Sequence, residues 1–187
     1  MSSASRVFLS VDIEDDELLS RIAHIQSKLD RQSAKMKIIE RENIHFTLRF
    51  LGDTLHTKLK AIRDGLSGIQ FGPFTIRIDG VGAFPNARRP RVIWVGVTEN
   101  ADKLTDLKLE MDDFLGNLGY SRDRKFHAHA TIARVRAVRD RDQMVRNIES
   151  LASEAVGTMS VECFRMTKST LTSSGPVYET LWEVRAT

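Results

Sequence analysis

Two short patterns in this 187-residue chain set an imidazole and a hydroxyl two positions apart. One is His45-Phe46-Thr47, inside Asn43-Ile44-His45-Phe46-Thr47-Leu48. The other is His129-Ala130-Thr131, inside Phe126-His127-Ala128-His129-Ala130-Thr131-Ile132. Along a β-strand, residues i and i+2 project from the same face. Read as strands, the patterns each present one His and one Thr together, while Ile44, Phe46 and Leu48 turn the other way into apolar packing. Histidine has an ordinary pKa near 6.5, so its neutral and protonated forms coexist around neutrality. One imidazole can take a proton from an attacking water while the other gives a proton to a departing oxygen. Two Thr hydroxyls can hold the non-bridging oxygens of a phosphate and follow the charge that builds there. The chemistry such a set suits is in-line displacement at phosphorus, and the scheme needs no metal. One His-x-Thr carries little weight in a chain with 13 threonines; the weight lies in two of them, both in strand-like context.

The elements that must position these residues can be read from periodicity. Arg6 to Ile13 alternates as a strand. Asp15 to Leu29 carries Leu18, Leu19, Ile22, Ile25 and Leu29 at helical spacing. Lys37 to Ile39 is a short strand, Asn43 to Leu51 a second clear one, Leu55 to Ile69 a helix and Phe74 to Val81 a strand. The order then recurs: strand Arg91 to Thr98, helix Ala101 to Leu118, strand Phe126 to Val135, helix Asp140 to Ala155, strand Met159 to Leu171. A last strand, Val177 to Val184, has no counterpart. His129 follows His45 by 84 positions, Thr131 follows Thr47 by 84, and Arg91 follows Val7 by 84. The expectation is one domain, residues 1–187, in which residues 6–81 and 91–171 repeat a strand–helix–strand–helix–strand unit.

Composition sets the outer bounds. With 41% hydrophobic and 28% charged residues the chain reads as a soluble globular protein able to bury a sizeable core. Its formal charge of +3 admits an anionic partner without demanding one. Arginines gather at Arg88, Arg89 and Arg91 and again at Arg134, Arg136, Arg139 and Arg141, which suits a solvated face or a phosphate-attracting rim equally. The one cysteine, Cys163, allows neither an intrachain disulfide nor a Cys-based zinc site, and fits a cytoplasmic compartment. The first residues lack the apolar segment of a secretory leader, and no apolar run is long enough to span a membrane.

On these motifs the sequence resembles the two-histidine phosphoesterases, in particular the bacterial and archaeal RNA 2′,3′-cyclic phosphodiesterases once called 2′-5′ RNA ligases. The resemblance runs over most of the chain: RVFLSVDI at the start, NIHFTLRFLGD at 43–53, GAFPNARRPRVIWVGV at 82–97, KFHAHATIARV at 125–135 and STLTSSGPVYETLWEV at 169–184. One departure is Ala128, where members of this kind often carry Pro before the second catalytic His. The resemblance implies an α+β, bilobal fold, two pseudo-symmetric lobes of antiparallel sheet with helices on the outer faces and the active-site cleft between them. It implies opening of an RNA-terminal 2′,3′-cyclic phosphate to a 2′-phosphate without cofactor or metal, with 2′-5′ RNA ligation as a side activity. By analogy His45 is the proton donor and His129 the proton acceptor, with Thr47 and Thr131 binding substrate. The near-symmetric sequence by itself does not say which His has which role. RNA termini or nucleoside 2′,3′-cyclic phosphates are the implied partners, and a monomer is the default.

Other residues carry plainer expectations. His127 shares the His129 face and borders the cleft or is simply exposed. His24 and His56 are surface residues. Arg134, at an odd offset from His129, belongs on the opposite face of a regular strand, although a phosphate contact stays open for it. Phe84, Trp94 and Tyr178 could stack on a base, but core packing suits each better. Two rival functions remain. His45, His127 and His129 could form a three-histidine zinc site, though that leaves the paired threonines without a purpose. A non-catalytic RNA-binding module is the other, and it has no use for two imidazoles aimed at one point.

Overall fold

The computed structural model describes residues 3–123 and 125–187; Met1 and Ser2, at the start of the segment read for a leader, lie outside them. The elements are β1 (Ala4–Asp12), α1 (Asp16–Ser27), β2 (Ala34–Ile38), β3 (His45–Leu55), α2 (His56–Leu66), β4 (Phe74–Phe84) and β5 (Val92–Glu99). They continue with α3 (Ala101–Asn117), β6 (His129–Val138), α4 (Arg141–Ser150), β7 (Ala155–Val161), β8 (Cys163–Thr172) and β9 (Gly175–Arg185). The chain is α+β, as its patterning and its family resemblance both imply. No helix among the described residues is long and apolar enough to cross a membrane.

Local chemistry explains where α1 and α4 start. The Asp15 carboxylate accepts from the Leu18 N–H at 2.9 Å, and that of Asp140 accepts from the Gln143 N–H at 2.9 Å. Each satisfies one of the N–H groups a helix start leaves unpaired, a cap whose loss costs about 1 kcal/mol. Leu18, Leu19, Ile22 and Ile25 form the buried face of α1, as the spacing required.

The strands lie in the order β7-β4-β5-β6-β3-β1-β8-β9, with β2 also on β6, and every pairing is antiparallel. Two half-sheets, β9-β8-β1-β3 and β6-β5-β4-β7, meet through a single residue pair, Phe46 opposite Ala130. Both residues are fully buried.

The half-sheets are not the two halves of the sequence. β4, from the first half, pairs with β5, while β8, from the second, pairs with β1. β2 lies along β6. In return Tyr120 reaches β3, its hydroxyl 3.2 Å from Thr54 Oγ1. The helices exchange as well. α1 packs over β6 and β7, where Arg21 donates to the Val156 carbonyl at 2.9 Å, and α3 packs on β3 and α2. A Cβ at Gly65 of α2 would fall 1.8 Å from the Phe114 ring of α3, so glycine is what permits that approach. Each half of the sequence therefore completes the other's sheet, and one continuous core, from Val7 and Phe46 to Ile132 and Phe164, runs through both lobes.

One expected element divides. Met159 to Leu171 is not one strand: β7 ends at Val161 against β4, and β8 begins at Cys163 against β1. The chain changes lobes at Glu162, where neither glycine nor proline breaks the alternation. The helix expected over 140–155 ends at Ser150, and its last residue, Ala155, opens β7.

Candidate active site

The catalytic-type residues sit where the two half-sheets adjoin. On β3, Phe46 and Leu48 are buried behind His45 and Thr47; on β6, Ala130 and Ile132 are buried behind His129 and Thr131. The neighbouring strands repeat one register. Ser10 faces Thr47 and Asp12 faces His45, just as Trp94 faces Thr131 and Gly96 faces His129. The two pairs of the first lobe recur as the two of the second at an offset of 84 positions.

Each His-x-Thr-x tetrad ends in a bulge at the same place. Leu9 pairs with Arg49 and Ser10 with Thr47, so Leu48 is an extra residue; Ile93 pairs with Ala133 and Trp94 with Thr131, so Ile132 is extra. An extra residue shifts the alternation by one and re-aims the side chains beyond it. Leu48 and Arg49 are both buried, as are Ile132 and Ala133, and the next residues, Phe50 and Arg134, emerge exposed on the side of the histidines. Arg134 therefore lines the cleft with His129 and Thr131 rather than facing away, a correction to the even-odd reading of a regular strand. Its counterpart Phe50 lines the same cleft and is 61% exposed.

Hydrogen bonding fixes the tautomer of both histidines. His45 Nδ1 lies 2.7 Å from the Asn43 carbonyl oxygen, and His129 Nδ1 lies 2.7 Å from that of His127. A carbonyl only accepts, so Nδ1 carries hydrogen in both rings and Nε2 is left to take or give a proton. His45 Nε2 is 3.0 Å from Thr47 Oγ1, so the expected pair is in contact in the first lobe.

The setting of both rings is apolar and cationic. Phe8 stacks on His45 at 4.9 Å between centroids, and Tyr178 meets its edge at 5.4 Å. Phe84 stands edge-on to His129 at 5.0 Å. Burial pushes the His45 imidazole below its ordinary pKa; the Asn43 carbonyl and the Asp12 carboxylate oppose this, while Arg134 and His129 add to it. Burial likewise lowers His129, opposed by the His127 carbonyl and reinforced by the charges of His127 and Arg134. By itself the protein environment thus favours neutral imidazoles, and an arriving phosphodiester anion would draw protons onto them.

A cleft of about 660 Å³ gathers His45, Thr47, His129 and Thr131, with Phe50 and Arg134 at their flanks. Tyr178 is a cleft residue rather than a core one, whereas Trp94 packs on Phe84 at 5.1 Å between centroids. His127 precedes β6, is exposed and borders the cleft. His24 and His56 are exposed, and His56 lies within hydrogen-bonding distance of the Ser3 and Ser5 hydroxyls at 2.9 and 3.0 Å. His45, His127 and His129 are not gathered as a ligand set: among the described residues no three His, Cys, Asp or Glu converge as metal ligands. Sequence reasoning passed over Asp12, Phe8 and Phe50. A usable signal existed, because Phe50 and Arg134 each follow their own histidine by five positions.

The geometry offers two Nε2 atoms of like tautomer, two hydroxyls and the Arg134 guanidinium around a single cavity, a set suited to proton transfer at a phosphoryl centre. Comparison with known proteins agrees. The family model described as LigT like Phosphoesterase matches the chain twice in succession, over residues 11–94 and 95–178. An RNA 2′,3′-cyclic phosphodiesterase of Archaeoglobus fulgidus is 40% identical over 176 residues, 94% of this chain and 97% of that protein. Another, from Aeropyrum pernix, is 36% identical over 170 residues, covering 90% and 97%. The crystal structure of Escherichia coli LigT in apo form shares the fold with a TM-score of 0.80 at 23% identity, covering 100% of this chain and 99% of that one. With both of its halves matched by one family model and its two His-x-Thr tetrads facing a common cleft, the chain belongs to the LigT-like phosphoesterases.

Proposed function

We propose that this protein hydrolyses RNA-terminal 2′,3′-cyclic phosphates to 2′-phosphates, using His45 and His129 as acid and base, and Thr47 and Thr131 as phosphate-binding groups. The observation that carries this reading is the matched pair of histidines. Each is anchored through Nδ1 to the carbonyl two residues earlier, and both line one cavity. The curated relatives carry the name of this activity over nearly the whole chain.

The reaction makes one bond to phosphorus and breaks one. His129 Nε2 takes a proton from water as the water oxygen bonds to phosphorus. The bond from phosphorus to the 3′ oxygen breaks, and His45 Nε2 delivers a proton to that oxygen. The product keeps its phosphate on the 2′ oxygen, and exchange with solvent restores both imidazoles. The Thr hydroxyls and the Arg134 guanidinium hold the non-bridging oxygens through the step. If a 5′-hydroxyl of a second strand replaces water, the same motions form a 2′-5′ linkage, the side activity.

In this reading residues 1–187 act as one bilobal domain, repeated over residues 6–81 and 91–171, and as a cytoplasmic monomer. The core shared by both lobes supports the first statement. The supply of both histidines by one chain supports the second.

The test is turnover of a nucleoside 2′,3′-cyclic phosphate in EDTA. Hydrolysis to the 2′-phosphate at an undiminished rate is the expected result. Activity abolished by EDTA and restored by zinc would install the metallohydrolase reading instead, and a protein that bound RNA without turnover would be a binding module.

A further inference from the structure

The two lobes share a register but not the side chains that fill it. Opposite His45 stands Asp12; opposite His129 stands Gly96. One rung along, Ser10 lies between Arg165 and Thr47, whereas Trp94 lies between Gly82 and Thr131. The Asp12 carboxylate is held at both oxygens: Ser10 Oγ donates to Oδ1 at 2.8 Å, and Arg165 Nη1 donates to Oδ2 at 3.0 Å. In the second lobe the equivalent space is shut. A Cβ at Gly96 would meet a Trp94 ring carbon at 3.0 Å, and one at Gly82 would meet another at 2.2 Å. A carboxylate thus faces one histidine of the pair, and an indole fills the matching position beside the other.

Arg165 does not cancel this charge. Besides Asp12, its guanidinium donates to Glu14 at 2.7 Å and to Glu183 at 3.3 Å, and Arg185 reaches Glu183 at 2.7 Å. Three carboxylates therefore stand against two guanidiniums. Also around His45 are Tyr178 from β9, Glu42 from the turn before β3, Arg6 from β1, and Arg134 and the His129 imidazole from β6. Glu42, Asp12, Arg165 and Tyr178 share with His45 a small cavity of about 210 Å³ on the flank of the main cleft.

We propose that Asp12, braced by Arg165, is a positioning residue that holds the proton on His45 and thereby makes His45 the donor and His129 the acceptor; this rests on the hydrolysis proposed above. The near-symmetric tetrads alone do not assign these roles. Burial drives both imidazoles toward the neutral form, and only at His45 does a carboxylate oppose it. When substrate supplies a negative charge midway between the rings, the ring that already has an anion beside it takes the proton first.

The experiment combines an NMR titration of the two imidazoles with the pH profile of kcat/KM, in the wild type and in Asp12→Asn. The amide keeps the shape of the carboxylate and its bond from Ser10. Loss of the anion destabilises the imidazolium, so the His45 pKa should fall by roughly one unit, as for removal of a partly neutralised opposite charge. The His129 pKa should not move. The donor must be protonated, so the alkaline, descending limb of the profile should shift to lower pH. Above that limb kcat/KM should drop roughly tenfold, one unit being tenfold in protonated fraction, while the rate in mild acid stays near that of the wild type. Asp12→Glu, which keeps the charge, should restore most of the limb.

A His45 pKa unchanged in Asp12→Asn would overturn the proposal even if both histidines proved essential. A fall in the His45 pKa that moved the ascending limb would make His45 the acceptor, overturning the role assignment while leaving hydrolysis intact. If the wild type failed to turn over cyclic phosphate, the functional reading would fall, yet the titration would still report whether Asp12 holds the proton. If Asp12→Asn failed to fold, Asp12→Glu would decide in its place: a His45 pKa held at the wild-type value supports the proposal, and one that falls overturns it.

Discussion

Replacing Arg134 by Ala tests the consequence of the β6 bulge, which turns this side chain into the cleft. Arg134 is exposed and makes no ion pair among the described residues, so its loss should leave the melting temperature unchanged. Its value lies in what it does to bound phosphate. A guanidinium can grip two oxygens at once, and a hydrogen bond to a charged group is worth about 1.5–3 kcal/mol. At about 1.4 kcal/mol per factor of ten, that range corresponds to roughly 10- to 150-fold in kcat/KM. The side chain is solvent-exposed, so screening places the expected loss toward the lower end of that range. Arg134 also pushes both histidines toward lower pKa. Without it the optimum should move to higher pH, and each variant must be compared at its own optimum. Arg134→Lys keeps the charge but not the fork and should recover part of the loss. The assay is steady-state hydrolysis of a nucleoside 2′,3′-cyclic phosphate beside thermal melting. An Ala variant indistinguishable from wild type in kcat/KM would mean that the cleft-facing position does not touch phosphate, and the argument from the bulge would be wrong.

Three further outcomes are expected from the same geometry. His45→Ala and His129→Ala should each lower kcat by roughly 10²–10⁴-fold, the usual worth of one acid or base, with far-UV circular dichroism unchanged; a variant near wild-type rate would remove that residue from the mechanism. Thr47→Val and Thr131→Val each remove a hydroxyl worth up to about 3 kcal/mol in the transition state and should lie within roughly tenfold of each other, because the tetrads occupy matched positions; an inactive Thr131→Val beside an unaffected Thr47→Val would break the two-fold site. Asp112→Ala should cost about 3–5 kcal/mol in urea unfolding. It strands Lys108 and Arg49, both almost fully buried, the latter 3.1 Å from the Asp112 carboxylate; a loss below about 1 kcal/mol would show that Asp123, 3.2 Å from Arg49, suffices to hold the cluster.

What the sequence determined by itself was the content of each strand and the pairing of chemistry within it. A period of two places His45 with Thr47, and His129 with Thr131, because neighbouring side chains on a strand point apart; their backing of Phe46, Leu48, Ala130 and Ile132 is buried as that alternation requires. The offset of 84 positions between tetrads survives as a shared register. Tertiary structure decided what alternation cannot express. Which strand lies beside which is a matter of packing between distant segments, so the change of lobes at Glu162, and with it the division of β7 from β8, left no local mark. The bulges at Leu48 and Ile132 arise from pairing with β1 and β5, and they alone bring Phe50 and Arg134 to the cleft. The buried Arg49–Asp112 contact joins residues 63 positions apart, which no local pattern links. The asymmetry of the two histidines lies furthest from the sequence, because it depends on what stands across the sheet: a carboxylate opposite His45, and opposite His129 a glycine that the Trp94 ring keeps bare.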